Sequence, residues 1–434
     1  MRRDAENANV MQTLGVCIGK AGLPVGQLTY ARQGQREFSA FAYGAEWLRN
    51  PDRFEVSPDL PLVAGFQPRR AASRADSTFH LALADTAPDA WGRRVIARAH
   101  AKQRTSNRQL LALNELDYLA AVDDFSRVGA LRLQGPGGKF LQTVEEGRST
   151  TPPLLELERI FAATRAVETN QETAQDLQYL QGKGTSLGGM RPKCTVLDES
   201  GRLAIGKFPS VGDTRSVTRG EVLALKLARM AGMNTAPARI VNLAGTAVAV
   251  IERFDRTADF ARIHYLSAAS MLQAAREEER SYTEIADIIR SKCAAPTADL
   301  RELWRRLVFN LLITNVDDHL HNHGFLYAGS GQWQLAPAFD LNPFPDKDRE
   351  SKTWLSPDTG PIRSLPMLLE HAGHFGLAAP SAALGILREI LSALSDWRAV
   401  ALSPEVGLQQ GELDDFAPAF EHEAAEGARR MLAL

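Results

Sequence analysis

The sequence predicts an α+β protein built as two lobes, on three observations. The chain has 434 residues, more than one hydrophobic core usually serves. Its composition, 44% apolar and 24% charged, is that of an ordinary globular chain. Strand-like runs and turn clusters are interspersed with helical stretches over the first 255 or so residues, whereas the pattern from about residue 257 is mainly helical. Three segments are expected: a small β-rich subdomain over 1–105, an α/β segment with a glycine-rich loop over 106–255, and a helical lobe over 256–434.

Charge and cysteines exclude several classes. Fifty basic and 52 acidic residues leave a net charge of -2, which rules out a basic nucleic-acid footprint over the whole molecule; DNA contact is expected only indirectly or through a local patch. Cys17, Cys194 and Cys293 are isolated and form no CxxC pair, so a disulfide framework is not expected and a reducing, cytoplasmic setting fits. No apolar run follows the arginines of M-R-R-D-A-E-N, and no stretch of about twenty apolar residues exists, so neither a secretory signal nor a membrane partner is expected.

Early in the chain, Q-L-T-Y-A-R reads as strand and W-G-R-R-V-I-A-R-A-H as helix, with S-P-D-L-P a loop between them. Residues 107–126 read as helical, and L-E-L-E-R-I-F-A-A-T-R-A-V as an amphipathic helix. The segment G-K-G-T-S-L-G-G-M-R-P-K is glycine-rich and basic. Two short strands follow it, C-T-V-L and R-L-A-I-G-K-F, joined by the turn D-E-S-G. R-G-E-V-L-A-L-K-L-A-R-M-A-G then reads as a helix stopped by Gly232 and Pro237, and A-R-I-V-N-L with T-A-V-A-V-I-E as a hairpin. Further on, Leu300, Leu303, Trp304, Leu307, Val308, Leu311 and Leu312 recur at helical spacing on one face.

That last helix delivers N-V-D-D-H-L-H-N-H-G-F, residues 315–325. His319, His321 and His323 would share a face on a strand, so zinc held by imidazoles is one reading. Gly324 and the polar residues before it suggest a loop instead, where that periodicity fails. The zinc reading also leaves Asn322 and Asp340 unused.

The other reading is phosphoryl transfer. Asp317 and Asn322 are spaced D-x-x-x-x-N, which lets an aspartate take or orient a substrate hydroxyl while an asparagine oxygen helps hold magnesium. A hard cation needs such oxygen ligands. In protein kinases a short hairpin follows this loop and ends at a second, metal-binding aspartate; here the hairpin Phe325–Leu335 leads to F-D-L, with Asp340 in that place. Upstream, Lys207 lies on an apolar strand suited to gripping phosphate, and Glu221 opens the next helix, where it could pair with Lys207. In the loop before that strand, glycines including Gly188 and Gly189 let backbone N–H groups approach phosphates, and Arg191 and Lys193 add charge.

Taken together, T-S-L-G-G-M-R-P-K, I-G-K-F-P-S, E-R-F-D-R, N-V-D-D-H-L-H-N-H-G-F and L-A-P-A-F-D-L resemble the HipA-type serine/threonine kinases, toxins of bacterial toxin–antitoxin pairs. E-W-L-R-N-P, S-P-D-L-P-L and D-T-A-P-D-A-W-G-R-R extend the resemblance over nearly the whole chain. It implies a two-lobed protein-kinase-like fold, with ATP and Mg2+ as cofactors. Asp317 would be the catalytic aspartate, Asn322 and Asp340 the magnesium ligands, and Lys207 the contact to the ATP phosphates. Glu252 and Phe254 would meet the adenine, and Ser186 would be a self-inactivating autophosphorylation site. His319 also matches a family position, as scaffold more than metal ligand. A DNA-binding HipB-like antitoxin and a protein substrate, such as the glutamyl-tRNA synthetase that family toxins modify, are the implied partners. Persistence is the implied physiology. Two departures stand out: His321 sits where the family often has lysine, which removes a fixed positive charge, and Met190-Arg191 replaces a pair that often carries glutamine. The competing reading is a kinase-like binding protein that acts mainly as antitoxin partner and co-repressor.

Overall fold

A computed structural model describes residues 10–71, 73, 76–143, 151–181, 189–243, 245–276, 278–348 and 350–432. The chain packs as two compact units, one made of 1–211, 255–266 and 275–277, the other of 212–254, 267–274 and 278–434.

The first unit is built on an antiparallel sheet. β1 (Val10–Ile18), β2 (Leu23–Gln33), β3 (Arg36–Tyr43), β4 (Gln67–Arg69) and, later in the chain, a strand at Leu131–Gln134 lie in the order β4-β3-β2-β1 followed by the 131–134 strand. Period-two burial sets its inner face, where Leu28, Tyr30, Phe41 and Tyr43 are covered. Helix α1 (Ala90–Ser106) starts at Asp89, whose Oδ1 accepts the Gly92 N–H at 2.7 Å, and buries Trp91, Val95, Ile96 and Ala99. Helix α2 (Leu157–Glu168) buries Leu157, Ile160, Ala163 and Val167. After them, β5 (Lys193–Leu197) pairs with β6 (Leu203–Lys207) from Lys193↔Lys207 to Leu197↔Leu203. Asp198 closes their turn: its Oδ1 accepts the N–H groups of Ser200 and Arg202, and Gly201 takes φ +79°.

In the second unit, helix α3 (Val217–Met230) ends where Gly232 adopts φ +77° and Met233 donates its N–H to the Ala228 carbonyl. β7 (Ala238–Leu243) and β8 (Thr246–Glu252) follow as a hairpin. Ser281 and Glu284 form a capping box for α4 (Tyr282–Lys292), and Pro296 opens α5 (Pro296–Leu312). The predicted face of α5, Leu300 through Leu312, is buried throughout. β9 (Gly324–Gly329) and β10 (Gln332–Leu335) form the expected hairpin, turning at Ser330 and Gly331, both with positive φ. Helix α6 (Pro380–Ser395) adds a long apolar face.

Two details differ from the sequence reading. Residues 107–126 are not one helix; only Glu115–Ala120 is helical, started by an Asn114–Asp117 capping box, because Asn107 already ends α1. The packing units also do not follow the three expected segments, since 106–211 belongs with the first unit and the chain returns to it at 255–266. That return is fixed by Asp255, which accepts the Gly129 N–H at 2.8 Å, and by the Arg256 guanidinium, which donates to the carbonyls of Phe125, Arg127 and Gly129. Such long-range polar anchoring leaves no mark in local composition.

Candidate active site

Residues 315–323 leave the end of α5 as irregular chain, with one 3-10 turn at Leu320–Asn322. Thr314, just past the helix, takes φ +54°, which is unusual for a β-branched residue. Its hydroxyl donates to the Ala419 carbonyl, and its own carbonyl accepts the Val316 and Phe344 N–H groups. The turn that launches the loop is therefore held from several sides.

Two adjacent aspartates on this loop have opposite environments. Asp317 is half-exposed, and Asp318 is buried. Asp318 Oδ2 accepts from the Tyr282 hydroxyl at 2.6 Å, from Asn310 Nδ2 at 2.8 Å, and lies 2.9 Å from His323 Nε2. Burial by itself would raise the Asp318 carboxyl. The electrostatic pull of the adjacent His323 and the bonds from His323 and Tyr282 more than offset it, holding Asp318 below the ordinary carboxylate value. Burial, reinforced by the Asp318 carboxylate, pushes the Tyr282 hydroxyl well above its usual range. Asp318 is thus a buried anion with its donors supplied, a structural keystone beside the exposed carboxylate.

Asn322 is buried and points its amide back into the loop, donating from Nδ2 to the Asp317 carbonyl at 3.0 Å. Its donor end is committed, which leaves the side-chain carbonyl as the end able to face a cation. Asp340 follows the hairpin in the left-handed region at φ +56°, a conformation aspartate tolerates better than most residues. Asn342 Nδ2 donates to Asp340 Oδ1 at 3.3 Å. The Asn342 N–H donates to Asn315 Oδ1, Asn315 Nδ2 to Asn310 Oδ1, and Asn310 Nδ2 to Asp318. A relay of three asparagines, one joined through its backbone N–H, therefore links Asp340 to Asp318. The oxygens of Asn322 and Asp340 suit magnesium, which takes few protein ligands and completes its shell with phosphates and water.

The histidines have other work. His323 is engaged with Asp318, and its carbonyl accepts the Ala268 N–H. The His319 and His321 rings meet edge to face at 5.9 Å. Among the described residues, no group of three His, Cys, Asp or Glu side chains is set to hold a metal ion.

Within the same unit, Glu252 ends β8 with its N–H on the Pro237 carbonyl, and the Phe254 ring packs 5.5 Å from Phe339, next to Asp340. Glu221 is buried on α3. In the first unit, Lys207 ends β6 opposite Lys193. Lys193 is buried, its ammonium 2.9 Å from Asp89 Oδ2, so one carboxylate both caps α1 and holds this lysine. Gly189 takes φ +95°, and its carbonyl accepts the Trp91 N–H at 3.4 Å. Ser186 and Gly188 lie outside the described residues.

Sequence reasoning missed Asp318, Tyr282, Asn310, Asn315 and Asn342 as a network. One signal was available: Asn310 lies three residues after Leu307, inside the apolar face of α5. It also missed Lys352, whose ammonium lies 3.1 Å from Asp317 Oδ1.

Residues 16–123 match the family described as HipA N-terminal domain, and residues 185–397 the one described as HipA-like C-terminal domain. The chain belongs to the HipA-like family. The provisionally named kinase Y4mE of Sinorhizobium fredii is 25% identical over 345 residues, 74% of this chain and 75% of that one. The serine/threonine-protein kinase toxin HipA of Shewanella oneidensis is 28% identical over 142 residues, 28% of this chain and 33% of the toxin. The solved complex of Shewanella oneidensis HipA, HipB and operator DNA matches at TM-score 0.65 and 18% identity, covering 97% of this chain and 98% of that chain, so the two share a fold. No helix among the described residues is long and apolar enough to cross a membrane.

Proposed function

We propose that this HipA-like protein is a serine/threonine protein kinase that moves the γ-phosphoryl group of ATP to a protein hydroxyl. The observation that carries the reading is the arrangement of Asp317, Asn322 and Asp340 on one unit, with the first two tied through the Asn322–Asp317 bond and Asp340 tied to the same loop through the amide relay. Asp317 is the exposed carboxylate, placed to orient the acceptor hydroxyl and take its proton. Asn322 and Asp340 hold Mg2+, which neutralises charge on the ATP phosphates. Lys207 and the backbone N–H groups at Gly188 and Gly189 grip those phosphates, with Lys193 securing the end of that loop, and Glu252 and Phe254 meet the adenine.

The protein target belongs, on this reading, to the translation machinery, with an aminoacyl-tRNA synthetase the first candidate. The partner is a DNA-binding HipB-like antitoxin, supported by the HipB and operator DNA that accompany the structurally similar Shewanella HipA. The setting is the cytoplasm. Incubation with labelled ATP, magnesium and a cell extract, followed by identification of every labelled residue, tests the proposal. Label on a protein serine or threonine supports it. No label on any protein, with the chain still binding a HipB-like partner, would favour the docking and co-repressor role.

A further inference from the structure

Asp317 carries its own cation, and that cation comes from outside its loop. Lys352 Nζ lies 3.1 Å from Asp317 Oδ1, with the two side chains 58% and 46% exposed. A pair this exposed adds little to stability, so the contact is poorly explained as a fold-holding bridge. Its base, by contrast, is firmly held. The Lys352 N–H donates to the Val316 carbonyl at 3.1 Å, and the Thr353 hydroxyl to the Asp318 carbonyl at 2.7 Å. On the other side, Ser351 donates its N–H to the Ile362 carbonyl, its hydroxyl accepts the Ile362 N–H, and the Trp354 N–H donates to the Arg280 carbonyl. The segment 351–354 is therefore tied to the catalytic-loop candidate at Lys352 and Thr353, and to Ile362 and Arg280 at its two ends.

The loop itself lacks a permanent positive charge. Between Asp317 and Asn322 stand Asp318, His319, Leu320 and His321. Asp318 is buried in its own network. A transferring phosphoryl group spreads negative charge over three oxygens, and fixed cations at that point stabilise the transition state more than the ground state.

We propose that Lys352 is a further catalytic residue, one that touches the transferring phosphoryl group and supplies the fixed positive charge the loop does not. This rests on the kinase reading. In the step, the acceptor oxygen bonds to the γ-phosphorus as the bond from that phosphorus to the β–γ bridging oxygen breaks, and its electron pair departs with ADP. The hydroxyl proton passes to Asp317 Oδ2. Lys352, anchored on Asp317 Oδ1, places its ammonium against a γ-phosphoryl oxygen and holds the carboxylate in one orientation.

The test compares wild type with Lys352→Ala and Lys352→Arg. Each is assayed for turnover, for Mg-ATP affinity, and for affinity toward ADP with magnesium and aluminium fluoride, a mimic of the transferring group. Lys352→Ala is expected to lose on the order of 100-fold in kcat, the scale of removing one transition-state donor. KM for ATP and the melting temperature stay unchanged, and affinity for the fluoride complex falls in parallel with kcat. Lys352→Arg recovers part of both. An active wild type whose Lys352→Ala variant keeps its kcat and its grip on the fluoride complex overturns this inference and leaves the kinase reading standing. So does a loss seen only in melting temperature. A wild type that binds no nucleotide and transfers no phosphate overturns both.

Discussion

Asn322 donates its side-chain amide to the backbone carbonyl of Asp317 at 3.0 Å. The two ends of the D-x-x-x-x-N spacing are thus joined by a direct bond. The residue proposed to hold the metal also fixes the backbone of the residue proposed to take the proton.

Replacing Asn322 or Asp340 by alanine should therefore weaken magnesium-dependent ATP binding. Both remove an oxygen ligand, and a drop of at least about tenfold is expected, comparable to removing the supporting groups of other metal sites. Calorimetric titration with ATP, with and without magnesium, measures it. Unchanged metal dependence in both variants would mean that the cation is held by other residues.

The buried network around Asp318 should carry stability. Asp318→Ala leaves the Tyr282 hydroxyl, the Asn310 amide and His323 without their shared acceptor. Stranding buried donors costs roughly 1–3 kcal/mol each, softened by relaxation and water, so a net loss of about 3 kcal/mol is expected. Asn310→Leu, which preserves the apolar face of α5 but cuts the relay, should lower turnover as well as the unfolding midpoint. Denaturant melts of both variants settle the first point. A loss below about 0.5 kcal/mol would show that the network is dispensable.

How much of this was legible follows the range of the interactions. The buried face of α5 was readable from Leu300 to Leu312 because helical period is a local property. The β9–β10 hairpin was readable because A-G-S-G supplies the positive φ values its turn needs. The division of labour between Asp317 and Asp318 was not, since adjacent identical residues differ only in what packs on them from Tyr282 and Asn310. Lys352 approaches Asp317 from 35 positions away along the chain, and Lys193 meets Asp89 from 104 away. No local pattern encodes either pairing. The return of 255–266 to the first unit was hidden for the same reason.

His264 gives the first unit a pH dependence. Its Nε2 lies 2.7 Å from the Val56 carbonyl, and burial pushes the imidazole down to about 4 against the pull of that bond. Between its ordinary value of 6.5 and about 4, the unfolded chain binds the extra proton and the folded chain does not. Stability therefore falls as pH drops through that window. His264→Gln should flatten the fall, read as the difference in melting temperature between pH 7 and pH 4.5 for variant and wild type. Equal slopes would show that His264 does not titrate as described.

Ser186 is proposed as a self-inactivating switch. Phosphate there would add about -1.5 to -2 charges to the glycine-rich segment proposed to grip the ATP phosphates. Mass spectrometry after incubation with Mg-ATP should find phosphate on Ser186, and the modified protein should bind ATP poorly. Modified protein with normal affinity would remove the switch from the account.

The central claim is that Asp317 drives phosphoryl transfer, and Asp317→Asn tests it most directly. The side chain is half-exposed and the change removes charge with almost no volume, so the variant should melt as wild type does. Labelled-ATP transfer to protein, measured in parallel for both, should fall by at least about 100-fold in the variant, the lower end of what general-base catalysis contributes. A folded Asp317→Asn protein that transfers phosphate at near wild-type rate would contradict the account.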